Sequence, residues 1–306
     1  MSRNPVLTDK AFGLDGNGTT SFGRTSPSQE WENAQRSGTG AATAAGTAGM
    51  ASTYGRTAPT GPTGPVETAG RTMSLGGVAS VTMLMFGVLL IGGWWGWMQV
   101  TERTVEFTDG TVGTMAELNS PGLLIGALVL GLVLALVTIF KPTIARFTAL
   151  PYSLVQGAML GMISHLYNAQ FEGIVVQAIL ATFGVFLTML VLYGLRILRA
   201  TPKFVKGVVA ATFGILIMYV LGFAMSFFMS DFTPFWQTSG LLGIGISVVI
   251  VIVAALNLIL DFDFIERGSK NGLPAYMDWY AAFGLMITLI WLYLEMLRLF
   301  AKLRSN

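Results

Sequence analysis

The chain has 306 residues, of which 53% are hydrophobic and only 11% are charged, and its formal net charge is +2. Soluble domains carry about 25% charged residues, so this composition predicts an integral membrane protein in a lipid bilayer and gives no indication of a nucleic-acid partner. Cysteine is absent and histidine occurs once, which excludes disulfides, thiol chemistry and metal sites built from histidine and cysteine.

Residues 1–72 differ in composition from the rest of the chain. Gly, Thr, Ser, Ala and Pro dominate them, as in 38–46 (GTGAATAAG) and 61–65 (GPTGP). Such a segment cannot bury enough apolar surface to offset its chain entropy, so we expect a disordered cytoplasmic tail. No apolar stretch follows the N-terminal charges until about Met73, which argues against a signal peptide. Residues 73–306 are the predicted transmembrane domain.

A helix that crosses a bilayer of roughly 30 Å needs about 20 apolar residues. Seven segments of the domain meet this requirement, at 75–99, 122–140, 150–167, 173–195, 205–229, 239–264 and 277–302. The third segment is the weakest, because it is short and contains Gln156, Ser164 and His165. These runs are continuous and do not alternate, so the predicted fold is an all-α, polytopic membrane bundle of seven transmembrane helices.

The charges between the spans alternate in sign. Arg56 and Arg71 precede the first span. The loops that follow alternate between acidic and basic along the chain. The acidic loops lie around 102–117, 172 and 231, and the basic loops lie around 141–146, 196–206 and 267–270. Because bases mark the cytoplasmic side, this pattern predicts a cytoplasmic N-terminus. We expect the multi-pass protein to lie in the cell (plasma) membrane.

Seven crossings place the C-terminus outside, where the positive-inside rule does not favour bases. The bases near that end are Arg298, Lys302 and Arg304. Either three bases are tolerated there, or the last segment does not cross fully. We favour the first alternative, because earlier loops usually dominate orientation.

Small and aromatic residues indicate how the spans pack. Gly157 and Gly161 form a GxxxG motif in span three, and glycines cluster at the start of span six at 240, 243 and 245. Such residues allow helix backbones to approach closely. Tryptophans at 94, 95 and 97 end the first span and are typical of an aromatic belt at the membrane interface.

Acidic residues in the last two spans are the candidate functional residues, because a carboxylate at membrane depth costs several kcal/mol unless it is paired, protonated or hydrated. Asp261 and Asp263 lie about 200° apart on a helix, so they cannot face one site together. Asn257 shares the face of Asp261 one turn deeper. Asp261 is therefore the candidate for an interior position, whereas Asp263 points to the loop or a neighbouring helix.

Three further residues have two interpretations each. Glu295 is too far along span seven to contact Asp261, and it either serves the site or neutralises Arg298 at i+3. Lys141, at the cytoplasmic end of span two, is either a snorkelling anchor or a partner that reaches Asp261 across the bundle. His165 is either an interfacial histidine with one hydrogen bond or a pH-responsive element.

Enzyme signatures are missing from the sequence. There is no GxSxG with a histidine partner, no HExxH and no glycine-rich phosphate loop ahead of a lysine. We therefore expect neither enzymatic activity nor a resident cofactor.

Six segments of the chain are distinctive when taken together: 1–7 (MSRNPVL), 141–149 (KPTIARFTA), 163–167 (ISHLY), 258–268 (LILDFDFIERG), 279–286 (WYAAFGLM) and 291–300 (WLYLEMLRLF). They resemble the Bax inhibitor-1/YccA family, and in particular its longer actinobacterial branch. The resemblance implies a seven-helix bundle with the last helix near its centre. It also implies a pH-sensitive Ca²⁺ leak channel, whose sensor is one aspartate on helix six and one on helix seven, latched closed by an arginine on helix two.

The resemblance assigns roles to individual residues. Asp261 falls at the helix-six aspartate and is the implied gate acid, with Ca²⁺ as the permeant ion. Lys141 falls near the latch arginine, although an ammonium cannot make the bidentate pair of a guanidinium. Thr288 stands where the second aspartate belongs, and Glu295 follows seven residues later on the same face. Asp263 and Glu295 complete the candidate ion-binding acids, with Asn257 as a neighbour.

Two consequences follow for function. If Lys141 holds Asp261, the substitution Asp261→Asn should loosen the closed state. The alternative function is that of a non-channel regulator that binds a membrane-anchored AAA protease, as another member of the family does. Oligomeric state does not follow from the sequence.

The topology is directly testable. A compartment-specific reporter fused after Asn306 should report the outside, and the same reporter inserted within 267–272 should report the cytoplasm. A cytoplasmic result at both positions would show that the last segment does not cross.

Overall fold

The computed structural model describes residues 71–106, 112–228, 238 and 240–305. The elements of this part are α1 Leu75–Trp97, β1 Val100–Glu106, β2 Val112–Leu118, α2 Pro121–Phe140, α3 Ala145–Gln170, α4 Ile174–Gly194, α5 Pro202–Phe228, α6 Leu241–Lys270 and α7 Met277–Arg304. A single 3-10 turn, Pro142–Ile144, joins α2 to α3. The predicted all-α bundle of seven helices is confirmed. The predicted tail lies outside the described residues except for Arg71 and Thr72.

Six of these seven helices are long and apolar enough to span a membrane, and α3 is the exception. The reason is its position in the bundle, because α3 packs against α1, α2 and α7 and buries twelve of its residues. A helix that is enclosed by other helices does not need an apolar surface toward lipid, and polar side chains in such a helix face the protein interior. The chain is therefore a multi-pass membrane protein whose third helix is largely shielded from the bilayer.

Helices α1 and α3 form the closest pair in the bundle. A Cβ atom added to Gly161 would lie 2.0 Å from the carbonyl oxygen of Gly93, and one added to Gly157 would lie 2.1 Å from that of Leu89. In the other direction, a Cβ on Gly96 would lie 2.0 Å from the carbonyl oxygen of Ala158. The GxxxG motif of α3 thus meets glycines of α1, and the backbones touch along the pair.

The second glycine cluster does not form such an interface. A Cβ added to Gly240 or Gly245 would have no atom within 4 Å, whereas one on Gly243 would lie 1.9 Å from the carbonyl oxygen of Thr238. Our prediction of close helix packing is therefore wrong for Gly240 and Gly245. Gly243 makes its close approach to a residue just before its own helix.

Helix α7 occupies the centre of the bundle. It contacts α1, α3, α4 and α6, and 61% of its most apolar stretch is buried, against 11% for α2 and for α5. This arrangement agrees with the central last helix that the family resemblance implies. Any group on α7 is therefore surrounded by protein on most sides.

The start of α1 contacts the connection between α6 and α7. We call the side of the bundle that carries residues 71–74, 141–145, 195–201 and 271–276 the opposite end, because it lies opposite the hairpin described below. Thr72 forms an antiparallel bridge with Pro274, and the amide of Met73 donates to the carbonyl of Leu273 at 2.6 Å. The amide of Ser74 donates to Asp278 Oδ1 at 3.0 Å. These contacts fix the segment before α1 against the helices that carry the candidate acids.

A two-stranded antiparallel hairpin follows α1, in a region that the sequence indicated only as an acidic loop. Its register runs from Val100 opposite Leu118 to Glu106 opposite Val112. We call the side of the bundle that carries β1, β2 and residues 171–173 the hairpin end. Neither seven-residue strand shows a strict alternation of apolar and polar residues, so the sequence did not distinguish them from a loop.

His165 connects this hairpin to α3. Its Nδ1 lies 2.8 Å from the carbonyl oxygen of Trp97, and its Nε2 lies 3.2 Å from Glu102 Oε1. The imidazole also stacks on the indole of Trp97, with ring centroids 4.4 Å apart. The histidine thus makes two polar contacts, one more than we expected.

The α1–α3 contact predicts a large difference between two glycine substitutions. Gly161→Ala should lower the free energy of unfolding by at least about 1–3 kcal/mol, because backbone atoms of α1 must move to admit the methyl group. Gly184→Ala is the matched control, since a Cβ at Gly184 has no atom within 4 Å, and it should be neutral or slightly stabilising. Thermal unfolding of both variants in detergent measures this difference. Equal stability would contradict the close approach.

Candidate functional site

Asp261 lies on α6 and faces α7. Its carboxyl group interacts with the hydroxyl of Thr288, and its Oδ1 would lie 3.9 Å from a Cβ added to Gly284. Its Oδ2 is buried and has no hydrogen-bond partner among the described residues. In the described part of the chain, the amide oxygen of Gln156 is the only other buried side-chain oxygen or nitrogen without a hydrogen-bond partner, and that group is neutral. Asp261 thus has a carboxyl group that lies between α6 and α7, and one of its two oxygens accepts no hydrogen bond from the described residues.

The structure brings Asp261 and Thr288 together, as the resemblance implies for the two sensor positions. A threonine hydroxyl can donate one hydrogen bond to a carboxylate, and it carries no charge. Thr288 also donates to the carbonyl of Gly284 at 3.3 Å, so its hydroxyl is shared between two acceptors. The site therefore contains one ionisable group where two-aspartate relatives contain two.

Asn257 does not complete this site. Its amide donates to Thr212 Oγ1 on α5 at 2.8 Å and to the carbonyl of Val253 at 2.9 Å. These bonds link α6 to the peripheral helix α5. The polar neighbour that we expected one turn from Asp261 instead serves helix packing.

Lys141 is not a partner of Asp261 in this structure, so the expected contact between them is wrong. The side chain is exposed at the end of α2, and no ion pair joins it to Asp261. The physical reason is the position of α2, which packs mainly against α3 and lies outside the pair formed by α6 and α7. The alternative role of Lys141, a snorkelling anchor at a helix end, fits its exposure.

Asp263 faces away from Asp261 and belongs to a different cluster. It pairs with Arg267 one turn along α6, and Glu266 pairs in the same way with Lys270 and accepts a hydrogen bond from Tyr193. These side chains line a cleft of about 560 Å³ at the opposite end, next to the connection between α4 and α5. Such solvent-facing pairs contribute at most about 1 kcal/mol. Asp263 is therefore part of an ordinary charged helix end.

Glu295 is almost completely buried, at 1% exposure, and is fully partnered. The hydroxyl of Tyr219 on α5 donates to its Oε1 at 2.7 Å, and Arg298 Nη1 lies 3.1 Å and 3.2 Å from its two oxygens. Arg298 also donates to the Tyr219 oxygen at 2.6 Å. The three side chains form a closed triangle of charge and hydrogen bonds. The sequence pointed to Arg298 as a partner, whereas nothing in it distinguished Tyr219 from other aromatic residues of an apolar helix.

The same region explains the bases near the C-terminus. Lys302 is 5% exposed and donates to the carbonyl of Gly243 at 3.0 Å and to Ser247 Oγ at 2.7 Å. Arg304 donates to the carbonyl of Glu172 at 2.7 Å, at the hairpin end. Arg298 and Lys302 thus turn into the bundle, and α7 continues as one helix to Arg304. The bases have partners at this end, which explains why they can be retained there.

The two acids of the last spans lie at separate depths and have different chemistry. Thr288, which marks the level of Asp261 on α7, is seven residues from Glu295, or about 10 Å along the helix. Glu295 is neutralised, whereas Asp261 has no cation within ion-pair distance in the described part. Ca²⁺ takes six to eight oxygen ligands. Among the described residues, no group of three or more histidine, cysteine or acidic side chains comes together in a way that could hold a metal ion.

Comparison with known proteins gave one match. A family model described as "Bax inhibitor 1 like" matches residues 5–305, which is nearly the whole chain. No curated protein and no solved structure matched.

The triangle around Glu295 predicts a marked asymmetry between two ion pairs. Glu295→Ala should lower the free energy of unfolding by about 2–4 kcal/mol, because it leaves the partly buried Arg298 guanidinium without its carboxylate, removes the acceptor of Tyr219 and leaves a cavity at a buried position. Glu117→Ala is the control, since its pair with Arg103 is exposed and 3.6 Å long, and it should cost less than about 1 kcal/mol. Denaturant titration in micelles measures both values. A cost below about 1 kcal/mol for Glu295→Ala would mean that the triangle is not structural.

Proposed function

Because the chain belongs to the Bax inhibitor 1 like family, we propose that it forms a cation leak pathway with Ca²⁺ as the permeant ion and Asp261 at the gate. The observation that carries this proposal is the buried, unpartnered Oδ2 of Asp261 between α6 and α7. Acids within membrane-spanning helices are costly, and those that persist without a structural partner mark ion or proton paths.

The other acids of these helices support this choice by contrast. Glu295 has two donors and Asp263 has a basic partner, so both have structural roles that account for them. Asp261 has no such role. A cation that passed between α6 and α7 would supply the positive counter-charge that the Asp261 carboxylate lacks, and Oδ2 has no hydrogen-bond partner among the described residues that the cation would displace.

The described arrangement fits a closed pathway. Phe283 and Leu292 of α7 are at most 1% exposed, and Leu258 of α6 is fully buried, so the two helices pack without an open passage beside the acid. Opening would require α6 and α7 to separate near Asp261 and Thr288. An ionised carboxylate gains hydration when that happens, whereas a neutral side chain gains much less. The charge of Asp261 therefore favours opening.

The absence of a second aspartate affects the expected response to pH. In a two-aspartate site, ionisation of one carboxylate disfavours ionisation of the other. With Thr288 in the second position this mutual effect is lost. We expect a weaker pH dependence of flux than in two-aspartate relatives, and Thr288→Asp should strengthen it.

The remaining parts of the proposal concern location and chemistry. The alternation of loop charges supports a cytoplasmic N-terminus, and the proposal includes a location in the plasma membrane. On this proposal the protein is not an enzyme and needs no resident cofactor, because Ca²⁺ is its cargo.

A second candidate function is regulation of a membrane-anchored AAA protease. The observation that favours it is the attachment of residues 71–73 to 273–275, beside the connection of α6 and α7. A partner that held the N-terminal tail would act directly on the helices that carry Asp261. Recovery of a protease with the full chain from native membranes would support this candidate.

Flux measurements test the gate. In liposomes with an enclosed Ca²⁺ indicator, Asp261→Asn should lower flux at least about tenfold and flatten its pH dependence, because the neutral amide stabilises the closed packing by more than the 1.4 kcal/mol that a factor of ten requires. If Lys141 held Asp261, the same substitution would instead loosen the closed state and raise the flux. Asp263→Asn is the matched control on the same helix, and it should change flux less than twofold.

Two results would contradict the proposal. If Asp261→Asn leaves flux and its pH profile unchanged while Glu295→Gln alters both, the gate has been assigned to the wrong acid. If the parent protein shows no cation flux between about pH 5 and pH 8 while a protease co-purifies with it, the regulator is the better account.

A further inference from the structure

A lateral groove opens between α1 and α4 on the hairpin-end half of the bundle. Its volume is about 720 Å³, and its floor is formed by α3 and α7. At its deep end, Phe86 of α1 contacts Phe183 of α4 edge to face, with ring centroids 5.6 Å apart. At its other end lie Trp94 and Trp97. The groove is therefore closed at the middle of the bundle and open to the surroundings along its length.

The length of the groove matches one leaflet of a bilayer. From Phe86 to Trp97 the helix advances eleven residues, or about 16 Å, and the hydrocarbon of one leaflet is about 15 Å thick. Phe86 is the central residue of α1, and tryptophans such as Trp94 and Trp97 favour the headgroup level. The groove thus runs from the membrane interface at the hairpin end to the bilayer midplane.

The chemistry of the lining is that of a hydrocarbon site. Its polar groups already have partners, since Ser164 Oγ and the Tyr293 hydroxyl lie 2.7 Å apart and Thr182 donates to the carbonyl of Ala178 at 2.7 Å. The remaining lining is aliphatic, aromatic or glycine. An occupant therefore needs no polar group at this depth.

The surroundings of the groove indicate its occupant. The lining is apolar, and the groove extends from the tryptophans at the membrane interface to Phe86 at the middle of α1. A single acyl chain is the flexible, apolar object that a bilayer supplies in this orientation.

We propose that the groove between α1 and α4 binds one acyl chain of a phospholipid from the leaflet at the hairpin end. The headgroup lies at the level of Trp94 and Trp97, and the chain terminus lies near the contact of Phe86 and Phe183. This inference does not depend on the proposed channel activity.

The bound acyl chain would contact the face of α7 that is turned away from Asp261. Met286, Leu289, Ile290 and Tyr293 line the groove. Their mean direction lies about 150° around α7 from Thr288, which faces Asp261. The acyl chain therefore packs on the face of α7 that is turned away from the acid, where it fills space that would otherwise leave α7 unsupported.

Photocrosslinking tests the site. The full chain is reconstituted in vesicles that contain a phospholipid with a diazirine near the end of one acyl chain, and adducts are mapped by mass spectrometry. They should concentrate around Phe86 and Phe183, at the deep end of the groove. Ile179→Trp, which fills the groove, should reduce this adduct at least about fivefold, because the bulk removes the volume for the chain.

Leu180→Trp is the matched control, since Leu180 is the next residue on α4, is 68% exposed and does not line the groove. It should leave the adduct unchanged. Thermal unfolding of both variants checks that each remains folded. Adducts spread evenly over the membrane-spanning helices, or equal yields from the two folded variants, would overturn the proposal.

Discussion

The free energy cost of a charged group at membrane depth is the constraint on which this structure depends. Several charged side chains of the last two helices are buried or partly buried, and Asp278, Glu295, Arg298 and Lys302 have partners within hydrogen-bond distance. Asp261, by contrast, retains a buried oxygen without one. The central position of α7 follows from the same constraint, because a helix with this many polar groups is stable in a bilayer only when other helices cover it.

The glycine contacts between α1 and α3 provide the rigid part of the bundle. Helix α3 is too polar to face lipid, and its close approach to α1 covers it without large side chains. In lipid there is little hydrophobic drive between helices, so backbone contact and dispersion hold such a pair. The pair of α6 and α7 has no comparable backbone contact at Asp261, where polar side chains meet instead. Movement is therefore expected at α6 and α7, against a fixed α1 and α3.

Much of the fold could be predicted from the sequence. Apolar length located six of the seven helices and left the third as the weakest segment, and the family match agrees with the resemblance found in segments such as 258–268. The hairpin was missed because neither strand shows a strict alternation of apolar and polar residues. The partner of Glu295 was missed because Tyr219 is distant in sequence and looks like any aromatic residue of a membrane helix.

The site was predicted only in part, for a related reason. Helical periodicity separated Asp261 from Asp263 correctly, because this depends on one helix alone. The wrong contact between Lys141 and Asp261 depended on how two helices far apart in sequence are arranged, and span lengths do not determine that. Likewise, the bases at the end of α7 oppose the positive-inside rule in the sequence, whereas the structure gives each of them a partner, on α5, α6, α7 or the connection before α4. The rule counts residues without regard to where their side chains point.

The most direct test of the account asks whether ions pass between Asp261 and Thr288. The chain has no cysteine, so the single-cysteine variant Thr288→Cys reports on this position alone when a membrane-impermeant thiol reagent is added to proteoliposomes. Thr288 is 8% exposed in the described structure. The account predicts slow labelling under conditions of low Ca²⁺ flux, and a labelling rate that rises in proportion to flux as pH is varied. Persistent flux without any labelling, or labelling that is independent of flux, would show that the pathway lies elsewhere.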